Sequence, residues 1–157
     1  MPRDTPKEIR ERDERYRVRS LDHAARYVAT GGRDGYDNNS NGAPTLILFT
    51  RGRRTGKEIA TPLYYGQAGD RYVVIASYAG ADAHPKWYLN LEADPQVEVQ
   101  VRDERFPATA RTAEGGERDE CWALLADRFD FYNQYARDTE REIPVVILER
   151  RNPDAEG

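Results

Sequence analysis

Between Thr45 and Thr112 the chain is a series of short apolar runs joined by connections too brief for anything but hairpins. Thr45–Thr50 is suited to a buried strand, Ile59–Tyr65 is a second candidate, and Arg71–Ser77 carries a VVIA core. Val97, Val99 and Val101 alternate with polar residues, the period-two pattern of a half-buried strand, and another strand lies around Phe106–Thr112. Parallel neighbours need long crossovers, so links such as the turns at Gln67–Asp70 and Asp103–Glu104 make the strands antiparallel. Pro62 cannot donate a ladder hydrogen bond, which marks its strand as an edge or a bulge. With the closing run Ile143–Glu149, six strands are expected.

Helical patterns flank this block. Leu21, Ala25 and Val28 form a stripe within Glu14–Thr30, and Gly31–Gly32 supplies the stop. Pro85 suits the first turn of a helix over Lys86–Ala93, which Asp94–Pro95 ends. From Glu117 to Thr139, Trp122, Leu125, Phe129, Tyr132 and Ala136 recur on one side, with a bend or restart near Asp130. The expected fold is mainly β with flanking helices, a closed or partly split barrel that hides its sheet edges. Residues 1–26 read as a charged, partly flexible segment with a helix, 27–151 as the barrel domain, and 152–157 as a flexible tail. There is no strand–glycine-loop–helix repeat of the dinucleotide-binding kind.

Charge and cysteine usage narrow the function classes. With 24 basic and 28 acidic side chains the net charge is -4, a poor balance for coating nucleic acid. No apolar run is long enough to span a bilayer, and the N-terminus is not signal-like. Cys121 is the single cysteine and has no metal-ligand cluster around it, so no metal site is expected and a reducing cytoplasm is the simplest setting.

The segment TRGRRTGKE at 50–58 joins two expected strands and concentrates Arg51, Arg53, Arg54 and Lys57, interrupted by Gly52 and Gly56. Glycines let backbone N–H groups approach an anion, Thr55 adds a hydroxyl, and arginine forks suit phosphate oxygens. By spacing alone, a phosphate- or carboxylate-binding turn and a solvated basic hairpin are both open. The GxxxxGK[ST] phosphate-loop spacing is absent. Downstream, the small residues Ala79, Gly80 and Ala81 permit close approach to a flat ring. Trp87 and Leu91 anchor the short helix, while Asn90 reads either as a loop-fixing hydrogen-bonder or as a surface residue. His84 and His23 lack any catalytic constellation, and Cys121 reads as packing. Tyr132 and Tyr135 share one helix side, where they either cover a pocket mouth or pack the helix on the barrel.

The elements PTLILFTRGRRTGKEIATPLYY, GDRYVVIASYAGADAHPKWYLNLEADPQVEVQV and YNQYARDTEREIPVVILE, in this order and spacing, resemble the deazaflavin-dependent nitroreductase family, whose cofactor is coenzyme F420. The similarity runs from about Tyr27 to Arg150. It implies a split β-barrel of the FMN/F420-binding type and an F420H2-dependent reductase that passes a hydride to a nitro compound, quinone or activated alkene. By the same resemblance Arg53, Arg54, Thr55 and Gly56, with Lys57 and Arg51 beside them, hold the cofactor's phosphate and acidic tail. Ala76, Ser77, Ala79 and Gly80 contact the ring, and Pro85, Trp87 and Asn90 match the helix that follows. Ser77, Tyr132 and Tyr135 orient the aromatic or quinone-like acceptor. Tyr78 stands where the family often has a smaller or aliphatic residue. FMN in place of F420, and a non-catalytic F420 carrier, are the alternatives; monomer and homodimer are both open. Only weak peripheral membrane association, as described for some relatives, fits the mixed charge of the N-terminal helix.

Overall fold

The computed structural model describes residues 5–151. Seven strands form one antiparallel sheet: β1 (Thr45–Arg51), β2 (Glu58–Tyr64), β3 (Gly66–Ala68), β4 (Arg71–Ile75), β5 (Gln96–Val101), β6 (Glu104–Thr112) and β7 (Val145–Arg150). Their order is β2-β1-β5-β6-β7-β4-β3. The two outermost strands, β2 and β3, are separated in sequence by Tyr65 alone. A flat sheet would hold them a full sheet width apart, so the sheet must curl until its edges meet at that corner. The result is the curled half-barrel of a split-barrel protein, with the Tyr65 N–H donating to the Pro44 carbonyl at 3.1 Å.

The seventh strand corrects the expected six. β3 falls at the start of the stretch read as a turn, and its Gly-Gln-Ala sequence has no period to detect. It becomes a strand because the Tyr65 corner delivers it beside β4, where Gln67 pairs with Tyr72. Pro62 lies in β2, an edge strand, as its missing donor requires.

Burial explains the two strand patterns. β1, β4 and β7 are covered on both faces: Leu46, Leu48, Val74, Val146 and Leu148 point into the barrel. Val73, Ile75, Val145 and Ile147 point outward beneath helices, and Ile47 and Phe49 do so beneath another. Those strands therefore read as continuous apolar runs. β5 and β6 bury the apolar side chains Val97, Val99, Phe106, Ala108 and Ala110 on one face, and on the other the polar Gln100 of β5. Their outer face carries ion pairs instead, Arg105 with Glu98 and Glu58, and Arg111 with Glu149 and Glu117.

Among the described residues four α-helices surround the sheet: α1 (Pro6–Thr30), α2 (Lys86–Ala93), α3 (Gly115–Ala126) and α4 (Phe131–Asp138). α2 closes the barrel interior with Trp87, Tyr88 and Leu91. α3 and α4 cover one outer face with Cys121, Leu125 and Tyr132, and Phe129 joins them from the break over 127–130 that separates the two helices. α1 starts well before Glu14 because Thr5 and Glu8 form a reciprocal capping box and Pro6 occupies the first turn. Its early turns bury little, which is why an apolar stripe could not reveal them. α1 is pinned farther along by Tyr27, whose fully buried hydroxyl donates to the Thr45 carbonyl at 2.9 Å and accepts from the Arg102 N–H at 2.7 Å. The expected flexible tail 152–157 and the first four residues lie outside the described residues. No helix among the described residues is long and apolar enough to cross a membrane.

Candidate active site

A cavity of about 400 Å³ opens between α1, the base of the β1–β2 hairpin, the end of β4 and α4. Ser77 and Ala79 form one wall, and Phe131, Tyr132 and Tyr135 another. Pro62, Leu63 and Tyr64 supply the hairpin side, while Tyr16, Arg19, Ser20 and His23 descend from α1. The cavity brings together Ser77, Ala79, Tyr132 and Tyr135 from the sequence reading. Their hydroxyl groups make no hydrogen bond among the described residues, so all three are available to a ligand. Burial pushes both phenols upward, which keeps them protonated donors at neutral pH.

The Ser77–Gly80 wall has an unusual backbone. Tyr78, Ala79 and Gly80 take φ values of 47°, 53° and 78°, three consecutive left-handed residues. For the two that are not glycine this costs about 1–2 kcal/mol each. Gly80 is required by space as well as by φ. A Cβ there would lie 3.2 Å from the Tyr135 Cα and carbonyl oxygen. The turn is held from both sides. The Tyr78 hydroxyl donates to Asp13 of α1 at 2.9 Å, and its ring lies 5.7 Å from that of Tyr16. On the other side the Arg141 guanidinium donates to the carbonyls of Ser77 and Ala81 at 2.7 Å and of Ala76 at 3.2 Å.

The basic loop stands apart from this cavity, at the opposite end of the β1–β2 hairpin. Arg51 pairs with Glu58 at the tip, whereas Thr45 pairs with Tyr64 at the base, about 20 Å away at roughly 3.4 Å per residue. Gly52 and Gly56 fold the tip through the bonds Gly52 N–H to Lys57 O and Gly56 N–H to Gly52 O, both 2.8 Å. Arg53, Arg54, Thr55, Gly56 and Lys57 are exposed, and no ion pair among the described residues involves Arg51, Arg53, Arg54 or Lys57. The barrel arginines Arg71, Arg105, Arg111, Arg118 and Arg150 all carry carboxylate partners. A cationic turn with no ion pair among the described residues fits an acidic, phosphate-bearing ligand.

Asn90 connects the two regions. It is buried, not a surface residue: its side-chain oxygen accepts from the Arg53 N–H at 3.2 Å and its nitrogen donates to Thr50 at 3.3 Å. Pro85, Trp87 and Asn90 line no part of the cavity, and Ala76 is buried in the barrel interior. The helix bearing Asn90 starts directly after the Ser77–His84 segment, so one short element buttresses both the basic tip and the cavity wall. Arg141 and the α1 residues Tyr16, Arg19, Ser20 and His23 were not legible as site residues. Arg141 sits in a connector, and the α1 residues lie on a helix with no chemical motif. His84 is no catalytic base here; its Nδ1 faces an Arg141 donor at 3.1 Å and its ring packs 5.0 Å from Tyr88. Cys121 is buried and its thiol is pushed up by that burial, which suits packing.

The fold is thus a curled split barrel that carries a cationic hairpin tip and a tyrosine-lined cavity. Comparison with known proteins gives the family. A family model described as F420H(2)-dependent quinone reductase matches residues 17–150. An F420H(2)-dependent quinone reductase of Mycobacterium tuberculosis is 37% identical over 132 residues, covering 82% of this chain and 88% of that protein. Among solved structures, an F420H2-dependent reductase of the FDR-A type superposes with a TM-score of 0.63 at 38% identity, over 68% of this chain and 94% of that one. A second, described as a domain-swapped dimer, superposes with a TM-score of 0.66 at 33% identity, over 92% of this chain and all of the other. The chain belongs to the F420H(2)-dependent quinone reductase family. It is an F420H2-dependent oxidoreductase, and its cofactor is coenzyme F420.

Proposed function

We propose that this chain reduces a quinone by hydride transfer, and that nitro compounds and activated alkenes of similar shape are further acceptors. The carrying observation is the separation of roles along the hairpin. Among the described residues, four cations without an ion pair stand at one end, and three hydroxyls without a hydrogen bond surround a cavity at the other. A ligand that engages both must be extended and acidic along its length. F420, with its phosphate and oligoglutamyl tail, meets that description better than FMN does.

In this reading Arg53, Arg54, Lys57 and Arg51 bind the phosphate and tail carboxylates, with Thr55 and the Gly56 backbone completing the turn. Ala76, Ser77, Ala79 and Gly80 shape the ring-side wall. Bound reduced F420 supplies the hydride, and a proton from solvent or from a tyrosine completes the hydroquinone. Ser77, Tyr132 and Tyr135 orient the acceptor by donating hydrogen bonds to the oxygen on which negative charge grows. Pro85, Trp87 and Asn90 act from behind, by fixing α2. Anaerobic reconstitution with F420H2 tests the reading, with cofactor oxidation followed against a quinone, a nitroaromatic and an enone. Rapid quinone reduction is expected. Tight F420 binding without turnover on any of the three would leave a carrier, and a clear preference for FMN in parallel titrations would overturn the basic-tip assignment.

A further inference from the structure

We infer that Arg141 is a positioning residue for this site: its guanidinium staples the left-handed turn Tyr78–Gly80, and so fixes the direction of Ser77 and Ala79 relative to Tyr132 and Tyr135. The inference rests on the functional reading above. Arg141 follows α4, which carries both tyrosines, and precedes β7. From that connector it reaches carbonyls on both sides of the turn, Ala76 and Ser77 before it and Ala81 after it. A fourth bond goes to Nδ1 of His84; a guanidinium only donates, so that nitrogen is the acceptor. A parallel tie joins the same two segments, the Thr139 hydroxyl donating to Asp82 at 2.9 Å.

The chemistry of these contacts is selective. Among the described residues Arg141 has no carboxylate within ion-pair distance; its charge is half-buried against neutral acceptors. A partly desolvated cation with no carboxylate in direct contact, and only Asp82 acting on it from farther off, is a costly way to hold a loop. It is justified where the backbone would otherwise relax. Two non-glycine residues with positive φ persist only when their surroundings over-determine them. Only two backbone bonds hold the turn from within, Gly80 N–H to Ser77 O and Ala81 N–H to Tyr78 O. The guanidinium shares the Ser77 carbonyl with the first of these and so closes the ring of contacts.

The test uses the full chain carrying Arg141→Gln, with Arg141→Lys as the conservative partner. Without cofactor, amide hydrogen exchange at Gly80 and Ala81 is expected to quicken about tenfold or more in Arg141→Gln, while β1 and β7 amides keep their protection. With F420H2 and a quinone, kcat is expected to fall about tenfold to a hundredfold while the F420 Kd stays within about threefold of wild type. Arg141→Lys is expected to recover part of both losses. Unchanged exchange at Gly80 and Ala81 would overturn the staple. Protection lost equally across β1, β4 and β7 would make Arg141 a residue of general stability and overturn the positioning role. Faster exchange with an unmoved kcat would sever the turn's shape from the reaction. If wild type itself neither bound nor oxidised F420H2, the functional reading would fail, and the exchange data would still decide on the staple.

Discussion

Gly80→Ala should damage stability and turnover together, because Gly80 is where the strained turn touches the helix that carries the tyrosines. A Cβ at residue 80 would lie 3.2 Å from both the Cα and the carbonyl oxygen of Tyr135, and 3.3 Å from the Asp138 Cβ. These are α4 backbone and near-backbone atoms, so the helix itself must yield. A φ of 78° is also strained for alanine. Overpacking of this kind costs about 1–3 kcal/mol and the left-handed conformation about 1 kcal/mol. The reduced freedom of the unfolded chain returns about 0.4–1 kcal/mol. The net is about 2 kcal/mol, which lowers Tm by about 4–8 °C in a domain of this size. Displacing Tyr135 by a few tenths of an ångström should cut kcat by about tenfold, since acceptor orientation is sensitive on that scale. Gly42→Ala is the control: its φ is 61° but nothing lies within 4 Å of its new Cβ. Thermal melts and steady-state quinone reduction read both variants. If Gly80→Ala melted no lower than Gly42→Ala, the close approach of turn to helix would be refuted.

Asn90→Leu keeps the branched shape with somewhat more bulk but strips the Arg53 N–H of its acceptor, a loss of about 1–3 kcal/mol; F420 titration should show weakened binding, and unchanged affinity would detach the basic tip from α2. Arg53→Gln combined with Arg54→Gln should raise the F420 Kd by about tenfold or more, with wild-type binding weakening as salt rises and the variant much less sensitive; equal salt dependence in both would place the anion elsewhere. Burial pushes the Tyr27 and Tyr78 phenols up to about 12, against about 10 in the unfolded chain. Between those values the folded state binds more protons, so stability is fully present below about pH 10 and is lost as pH rises through 12. Tyrosinate absorbance should therefore rise in step with the loss of helical circular dichroism. Ionisation of all ten tyrosines at the unfolded value, with the fold intact, would contradict the burial.

The strand framework was legible because one face or both faces of each long strand are buried, and burial leaves a period. Val97, Val99 and Val101 announced a strand open to solvent on one side; Thr45–Thr50 announced one covered on two. β3 was illegible because three residues without an apolar pattern become a strand only through the geometry of the Tyr65 corner. The basic tip could be seen as a composition of residues but not as an uncompensated one. Which arginines have carboxylate partners depends on cross-strand neighbours such as Glu98 and Glu149. Arg141 was hidden for a related reason: its acceptors are main-chain carbonyls some sixty residues earlier, and a carbonyl leaves no mark on a sequence.

Tyr78 joins these levels. It departs from the small residue that the family resemblance leads one to expect there, and it adopts a φ of 47° that a bulky side chain resists. In return its hydroxyl bonds Asp13 and its ring meets Tyr16, both on α1. α1 supplies Tyr16, Arg19, Ser20 and His23 to the cavity, so the residue next to Ser77 also sets where the opposite wall stands. In the proposed function, acceptor size would fall to the span between α1 and α4 and the cofactor's acidic tail to the hairpin tip. A smaller side chain at residue 78 would release α1 while the turn keeps its positive φ. It should therefore widen the range of acceptors without loosening F420, and a Tyr78→Ala variant with unaltered preference between small and bulky quinones would show that α1 takes no part in choosing them.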